Sequence, residues 1–400
     1  MNRMCAVSRL PAIGVLSLLL AFLLTAVLTR PAPAQTFTVL YSFTGGADGA
    51  QPYAQLIKDT AGNLYGTTAV GGNVNACNNL GCGVVFKLTP DGKEKVLYTF
   101  TDISDGVNPW AGLLLKDGFL YGTTEAGGTN QAGTIFKMKK SGAGKTILYN
   151  FAGPPKDGSY TFARLVQDSD DNLYGTTYRG GKTDSGTVFK LDAKGKETVI
   201  RSFKGGYHGE NPWSGVVRDS RGNLYGVTYG DFYGNYGTVF KIDPTGQQKI
   251  LHHFSGGADG GYPYYGGVVL DKAGSLYGTT SYGGTHQYFG TVFKVEKNGK
   301  FSSVYSFTGQ LDGGQPNASL VRDSAGNLYG TTIAGGAFGH GVIYKIDGAG
   351  TETVLYSFQG GTDPALADAN LMIDTDGTLY GTSALGGDFG QGTVFKLTQP

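Results

Sequence analysis

Charge imbalance is the first thing this 400-residue chain lacks: Lys and Arg number 32, Asp and Glu 31, for a net charge of +1. With no basic field to hold a phosphate backbone and no acidic tail, nucleic acid is not an expected partner. Cysteine is scarce at three residues, and tryptophan at two. Past residue 34 no segment shows a 3.6-residue apolar period, so helices are not expected there. Long apolar runs are missing too, apart from one near the start, Ile13 to Leu28. A membrane helix needs about 20 apolar residues. This run is shorter, follows Arg3 and Arg9, and leads into Ala32-Pro33-Ala34. That order describes a signal peptide over 1–34, cut before Gln35, with residues 35–400 secreted or periplasmic and free of the membrane. A single membrane anchor is the alternative. Cys5 precedes the apolar run, which argues against a lipid-anchored cysteine.

Cleavage leaves Cys77 and Cys82, spaced C-x4-C in "NACNNLGCG". In an oxidising compartment a local disulfide is the plain reading, closing a loop worth about 2 kcal/mol at best. Zinc would need two further ligands, and none is spaced to supply them. Neither a metal nor another cofactor is expected.

Glycine is abundant, 68 residues, while aromatics make up 12% of the chain, a profile of folded structure rich in tight turns. The phrase "GNLYGTTAVGG" at 62–72 shows why. Its Leu-Tyr-Gly-(Thr/Val)-(Thr/Ser) core returns at Tyr65, Tyr121, Tyr174, Tyr225, Tyr277, Tyr329 and Tyr380, at intervals of 51 to 56 residues. Each period divides into four short segments, such as "QLIKD", "LYGTT", "GVVFKL" and "VLYTF". In Val84-Val85-Phe86-Lys87-Leu88 the spacing alternates, so these segments read as strands. Asp59-Thr60-Ala61-Gly62, Asp219-Ser220-Arg221-Gly222 and Asp323-Ser324-Ala325-Gly326 supply hairpin turns, the Asp side chain capping and the Gly taking left-handed backbone.

The fourth-strand pattern ends at Phe43, Phe100, Phe151, Phe203, Phe254, Phe307 and Phe358, so its first copy precedes any first strand, while the chain stops at "GTVFKLTQP". A closed ring removes the mismatch if residues 37 to 43 complete the last sheet. The expected fold is therefore all-β, a seven-bladed β-propeller of four-stranded antiparallel blades closed by its N-terminal strand. Tyr65 and its counterparts recur in every copy and are expected to pack blade against blade, with Gly66 and its counterparts permitting close backbone approach.

The "GNLYGTTxxGG...GTVFKL" unit resembles the Gloeo/Verruco (GloVer) tandem repeat of exported bacterial proteins, over residues 37 to 397. Kelch propellers have a similar period, but their Gly pair precedes the Tyr. The resemblance implies no established activity and carries over no catalytic residue. It implies one of several C-terminal anchors; this sequence ends at Pro400, directly after the last strand, and attachment to a surface is not expected from it.

Function should sit where the copies differ. Loops from strand four into strand one share a face with loops joining strands two and three. Aligned copies place Tyr53, Trp110, Phe162, Trp213, Tyr265, Asn317 and Asp368 around the channel mouth, five aromatic positions and two polar ones. The other loops add Tyr178 and Arg179, then Tyr229, Phe232, Tyr233 and Tyr236, then Tyr282, Tyr288 and Phe289. Rings with an apolar body and polar tip suit a sugar face or another polar ligand. The alternative is that they wedge between blades. Singled out as ligand-binding are Tyr53, Trp110, Phe162, Arg179, Trp213, Tyr233, Tyr236, Tyr265 and Tyr288.

Catalytic signals are thin. His208, His286 and His340 stand in separate loops, and solvation is their plain reading. Asp48, Asp105, Asp157, Asp259 and Asp312 occur as Asp-Gly pairs, which is turn chemistry first. "DSDDN" at 168–172 lacks the central Gly and distant Glu of a calcium loop and fits a hairpin turn better. A glycosidase needs two carboxylates facing a cleft, and no pair stands out. The leading reading is an exported, monomeric binding module for a polysaccharide or an extracellular peptide or protein. A cell-surface interaction scaffold and a carbohydrate-active hydrolase or lyase are the alternatives.

Overall fold

The computed structural model describes residues 35–231, 234–365 and 370–399. The signal peptide expected over 1–34 lies outside them, as do Phe232, Tyr233 and Asp368. Seven four-stranded antiparallel sheets form, as the repeat predicts. Blade I contains Ile57–Lys58, Leu64–Thr68, Val84–Leu88 and Glu94–Thr99, from the axis outward. Blades II to VI repeat this order. Blade VII consists of Met372–Ile373, Leu379–Ser383, Thr393–Thr398 and, from the other end of the chain, Thr36–Ser42. Phe37 stands opposite Leu397 and Val39 opposite Phe395, so the ring closes as expected and the last blade has no third-strand edge left unpaired.

The recurring phrase has a separate task for each residue. Leu64 is core, and Tyr65 packs among Leu113, Leu120, Phe136 and Met138 of blade II. Its hydroxyl also donates to Asp59 Oδ2 at 3.0 Å, while Asp59 Oδ1 accepts from the Ala61 and Asn63 N–H groups. Asp168 does the same for Asp170, Asn172 and Tyr174, so "DSDDN" is a hairpin turn. Gly66 has a different role from the one expected. A Cβ there would stand 2.6 Å from Phe86 Cζ, so the group that approaches closely is the ring of the adjacent strand, and not backbone. The first Thr reaches the next blade: Thr67 donates to the Ala111 carbonyl, Thr123 to Ala163, Thr176 to Ser214 and Thr279 to Ala318, at 2.8 to 3.2 Å.

Aromatic pairs stitch the same seams. Phe100 at the end of blade I meets Phe136 of blade II edge-on, and equivalent pairs cross all seven seams, from Phe43 with Phe86 to Phe358 with Phe395, at 5.0 to 5.6 Å. The Asp-Gly aspartates are turn caps as expected: Asp48 accepts from the Thr44 N–H, Asp157 from the Ala152 N–H and Asp312 from the Thr308 N–H, and they also accept from the hydroxyls of Tyr41, Tyr149 and Tyr305. Cys77 and Cys82 form the expected disulfide.

Candidate functional site

On one face the loop entering each innermost strand pairs with the loop joining strands two and three, as in Ala50 with Val70 and Gly314 with Ala334. Both variable loop sets therefore surround one mouth. Below it runs an axial cavity of about 840 Å³, walled by the innermost strands of all seven blades.

The entry to each innermost strand is held rigidly. In blade II, Asn108 adopts left-handed backbone (φ 54°), its carbonyl accepts from the Glu125 N–H, and Pro109 follows against Gly83 of blade I. A side chain at Gly83, itself at φ 91°, would collide with Pro109 Cδ at 2.7 Å. This corner delivers the next residue, Trp110, to the mouth. Tyr53 and Trp213 follow Pro52 and Pro212 at equivalent corners, Phe162 follows Thr161, and Tyr265 stands one residue beyond the Tyr262-Pro263-Tyr264 corner; with Trp110, all five line the cavity.

These rings are half-buried and stack on one another, neither wedged into the sheets nor free in solvent. Tyr53 lies 4.3 Å from Trp110, Trp110 6.3 Å from Phe162, and Phe162 stacks on Trp213 at 4.7 Å and 16°. Trp213 also meets Tyr178, Tyr229, Tyr264 and Tyr265, the last at 5.6 Å. An aromatic arc thus spans blades I to V. Tyr236, Tyr262, Tyr282 and Tyr288 extend it, with Tyr288 exposed at the end. Arg179 does not line the cavity: it is exposed, in a small ribbon with Gly158–Ser159, 3.9 Å from Asp184, with its guanidinium 5.2 Å from the ring of Tyr178 at the edge of the arc. Asn317 is buried beside the arc.

The polar atoms of the arc are mostly spoken for. Trp110 Nε1 donates to Glu125 Oε2 at 2.7 Å. Burial raises the Glu125 carboxyl above its ordinary pKa, with the Trp110 bond opposing. Burial beside Tyr264 and Tyr262 pushes the Tyr229 phenol up to about 12, so it is neutral at physiological pH. Trp213 Nε1 is buried without a partner.

One storey below the rings lies a belt that the sequence analysis did not single out: Gln55, Gly112, Arg164, Gly215, Gly267, Ser319 and Asn370. In sequence, each stands two residues beyond its mouth residue. Arg164 Nη1 donates to Gln55 Oε1 at 2.6 Å, and Gln55 Nε2 to the Leu371 carbonyl at 2.7 Å. The Gly267 N–H donates to Ser319 Oγ, and the Ser319 N–H to Asn370 Oδ1. Arg164 is the one charged residue at this position, a signal that column-by-column alignment of the repeats carries. Tyr264 also escaped notice, because "PYYGG" is one residue longer than its counterparts. His208, His286 and His340 are exposed in separate loops, and among the described residues no group of three His, Cys, Asp or Glu is placed to hold a metal ion.

Among known structures the chain is similar to virginiamycin B lyase from Staphylococcus aureus, at 13% identity and a TM-score of 0.57, covering 92% of this chain and 99% of that one. It is similar to an oligogalacturonate lyase solved with manganese, at 12% identity and a TM-score of 0.57, covering 93% and 94%. At such identities the likeness is one of fold. Among curated proteins no match was found. The Gloeobacter/Verrucomicrobia repeat model matches residues 26–238, 75–287 and 214–400, overlapping spans that together take in every blade. By its repeat and by the propeller that the repeat builds, the chain belongs to the Gloeobacter/Verrucomicrobia repeat family.

Proposed function

We propose that this propeller is an exported binding module that receives a glycan at the aromatic mouth of its axial channel. The observation that carries the reading is the arc from Tyr53 to Tyr265 on five consecutive blades, opening onto a cavity of about 840 Å³. Flat rings, half-exposed and held by their neighbours, offer apolar faces to sugar C–H groups at little entropic cost. Ser319 and Asn370, of blades VI and VII, put a hydroxyl and an amide in the lining of the same cavity. Export is supported by the order of Arg3, the apolar run and Ala32-Pro33-Ala34, and by a disulfide that suits an oxidising compartment.

The test is retention in native gels cast with plant and bacterial polysaccharides, comparing the wild type with Tyr53→Ala and Trp110→Ala. A glycan that slows the wild type should no longer slow the variants, whose melting temperatures are followed in parallel. If no polysaccharide slows the wild type, the reading fails. N-terminal sequencing of the exported chain should begin at Gln35; an intact Met1 would remove the export part.

A second reading, a protein-interaction scaffold, is favoured by apolar loop tips on the same face: Leu80, Tyr207, Leu311 and Phe338 are 56% to 85% exposed. Pull-down from the secreted fraction would then retain a specific band that Leu311→Ser and Phe338→Ser abolish.

A further inference from the structure

We infer that the glycan taken by this channel carries a carboxylate, and that Arg164 is the residue that receives it. This rests on the proposed glycan site and adds the ligand's chemical class. Among the described residues lining the cavity are three arginines, Arg164, Arg218 and Arg322, and not one Asp or Glu. Cavity walls of low dielectric focus such a one-sided field on an entering anion. The protein as a whole is nearly neutral, so this cationic lining is local.

Arg164 is set apart by its surroundings. It leaves blade III, crosses Gly112 of blade II and reaches Gln55 of blade I. Glycine at 112 keeps this crossing uncrowded: a Cβ there would lie 3.1 Å from the Gln55 carbonyl oxygen, 3.3 Å from Gln55 Cβ and 3.5 Å from Arg164 Cδ. Gln55 is itself fixed by its bond to the Leu371 carbonyl, so its amide oxygen faces the guanidinium and occupies one Nη1 hydrogen. Among the described residues no carboxylate reaches Arg164, and the side chain is open to channel water. Enclosure by the wall lowers its pKa from the ordinary value, yet a guanidinium stays protonated at any physiological pH. Its remaining N–H donors form a planar fork that matches a carboxylate bidentately.

Position completes the argument. Phe162 precedes Arg164 by two residues and stacks on Trp213, so the cation sits directly beneath the aromatic storey. An equatorial carboxylate projects from the edge of a pyranose, so a sugar stacked face-on against these rings brings it to the fork when that edge is turned down the channel. Arg218 and Arg322, near the opposite end of the channel, lie 5.7 and 6.0 Å from the Tyr174 and Tyr277 rings and extend the positive lining along the bore.

Isothermal titration would use oligogalacturonate, its fully methyl-esterified counterpart and alginate oligomers against wild type, Arg164→Gln and Arg164→Lys. At least one uronate oligomer should bind the wild type at least 10-fold tighter than the ester binds. Arg164→Gln should lose about 10- to 100-fold on that oligomer and nothing on the ester. Arg164→Lys, which keeps the charge and loses the fork, should fall between them. Because Arg164 also braces Gln55, the Lys variant keeps the test alive should the Gln variant unfold. Equal affinity for acid and ester, or an unchanged uronate affinity in Arg164→Lys and Arg164→Gln, overturns the inference while leaving the glycan reading standing. Binding of neither acidic nor neutral oligomers, with polysaccharide retention also absent, overturns both.

Discussion

Thr382 in the second strand of blade VII donates its hydroxyl to the Ala54 carbonyl in the segment that leads into the first strand of blade I, 3.2 Å away and 328 residues apart in sequence. It is the same bond that joins blade I to blade II through Thr67 and Ala111. The chain's two ends are therefore joined by the device used between consecutive blades, and Phe43 against Phe86 and Pro52 against Gly392 repeat the other seam contacts there.

Thr382→Val removes that donor with little change of shape, and leaves the Ala54 carbonyl short of a partner. Blade IV carries Val227 at this place naturally, so the fold tolerates the change. Stability should fall by about 1 kcal/mol, read as a lower denaturant midpoint with an unchanged slope.

Removing residues 36–42 should be far more damaging. The deletion exposes the edge of Thr393–Thr398 and uncovers Phe395, which Phe37 contacts at 5.4 Å. Gel filtration should show aggregates or no folded monomer; a stable monomer with the wild-type melting temperature would count against closure by this strand.

Tyr344 stands where the other six blades have Phe, and its hydroxyl is fully buried without a partner, over Gly330. Burial raises this phenol well above its ordinary pKa. Tyr344→Phe should stabilise the protein by about 1 kcal/mol, since an unmade buried hydrogen bond is lost with the oxygen. Thermal and chemical denaturation should agree on the sign.

Glu94, Glu197 and Glu352 begin the outer strands of blades I, III and VI, and burial, aided by Asp48, Asp157 and Asp312, lifts each carboxyl to about 7. A carboxyl raised in the folded state binds more protons there than in the unfolded chain, so its contribution is greatest at low pH and fades as pH climbs from about 4.5 through 7. The wild type should lose melting temperature over that interval relative to a Glu94→Gln, Glu197→Gln, Glu352→Gln variant. Gln248 already fills the equivalent place in blade IV. The difference between the two profiles isolates these groups from other titrations.

Trp213 touches more rings of the arc than Trp110, and Trp213→Ala should cost about 2–3 kcal/mol, more than Trp110→Ala. Equal and negligible costs would mean that the arc is not a mutually supporting stack.

Strand identity, turn chemistry and the number of blades were legible because each is a local pattern repeated seven times. The mouth residues could be aligned from the same repeat, and Tyr53, Trp110, Phe162, Trp213 and Tyr265 do meet there. Their exposure was not legible, since a ring beside Pro reads alike whether it enters solvent or a seam. Gly66 was misread because its neighbour, the Phe86 ring, lies on the adjacent strand.

What this sequence decided alone is the wheel: period-two strands, Asp-capped hairpins and a displaced first strand leave a closed sevenfold ring as the way to pair every edge. Only the tertiary structure decided the site. Arg164 and Gln55 are 109 residues apart, and they meet because successive blade rotations bring blades I and III to the same narrow axis, with glycine between them. That meeting depends on distances across a channel, which no local pattern in the chain encodes.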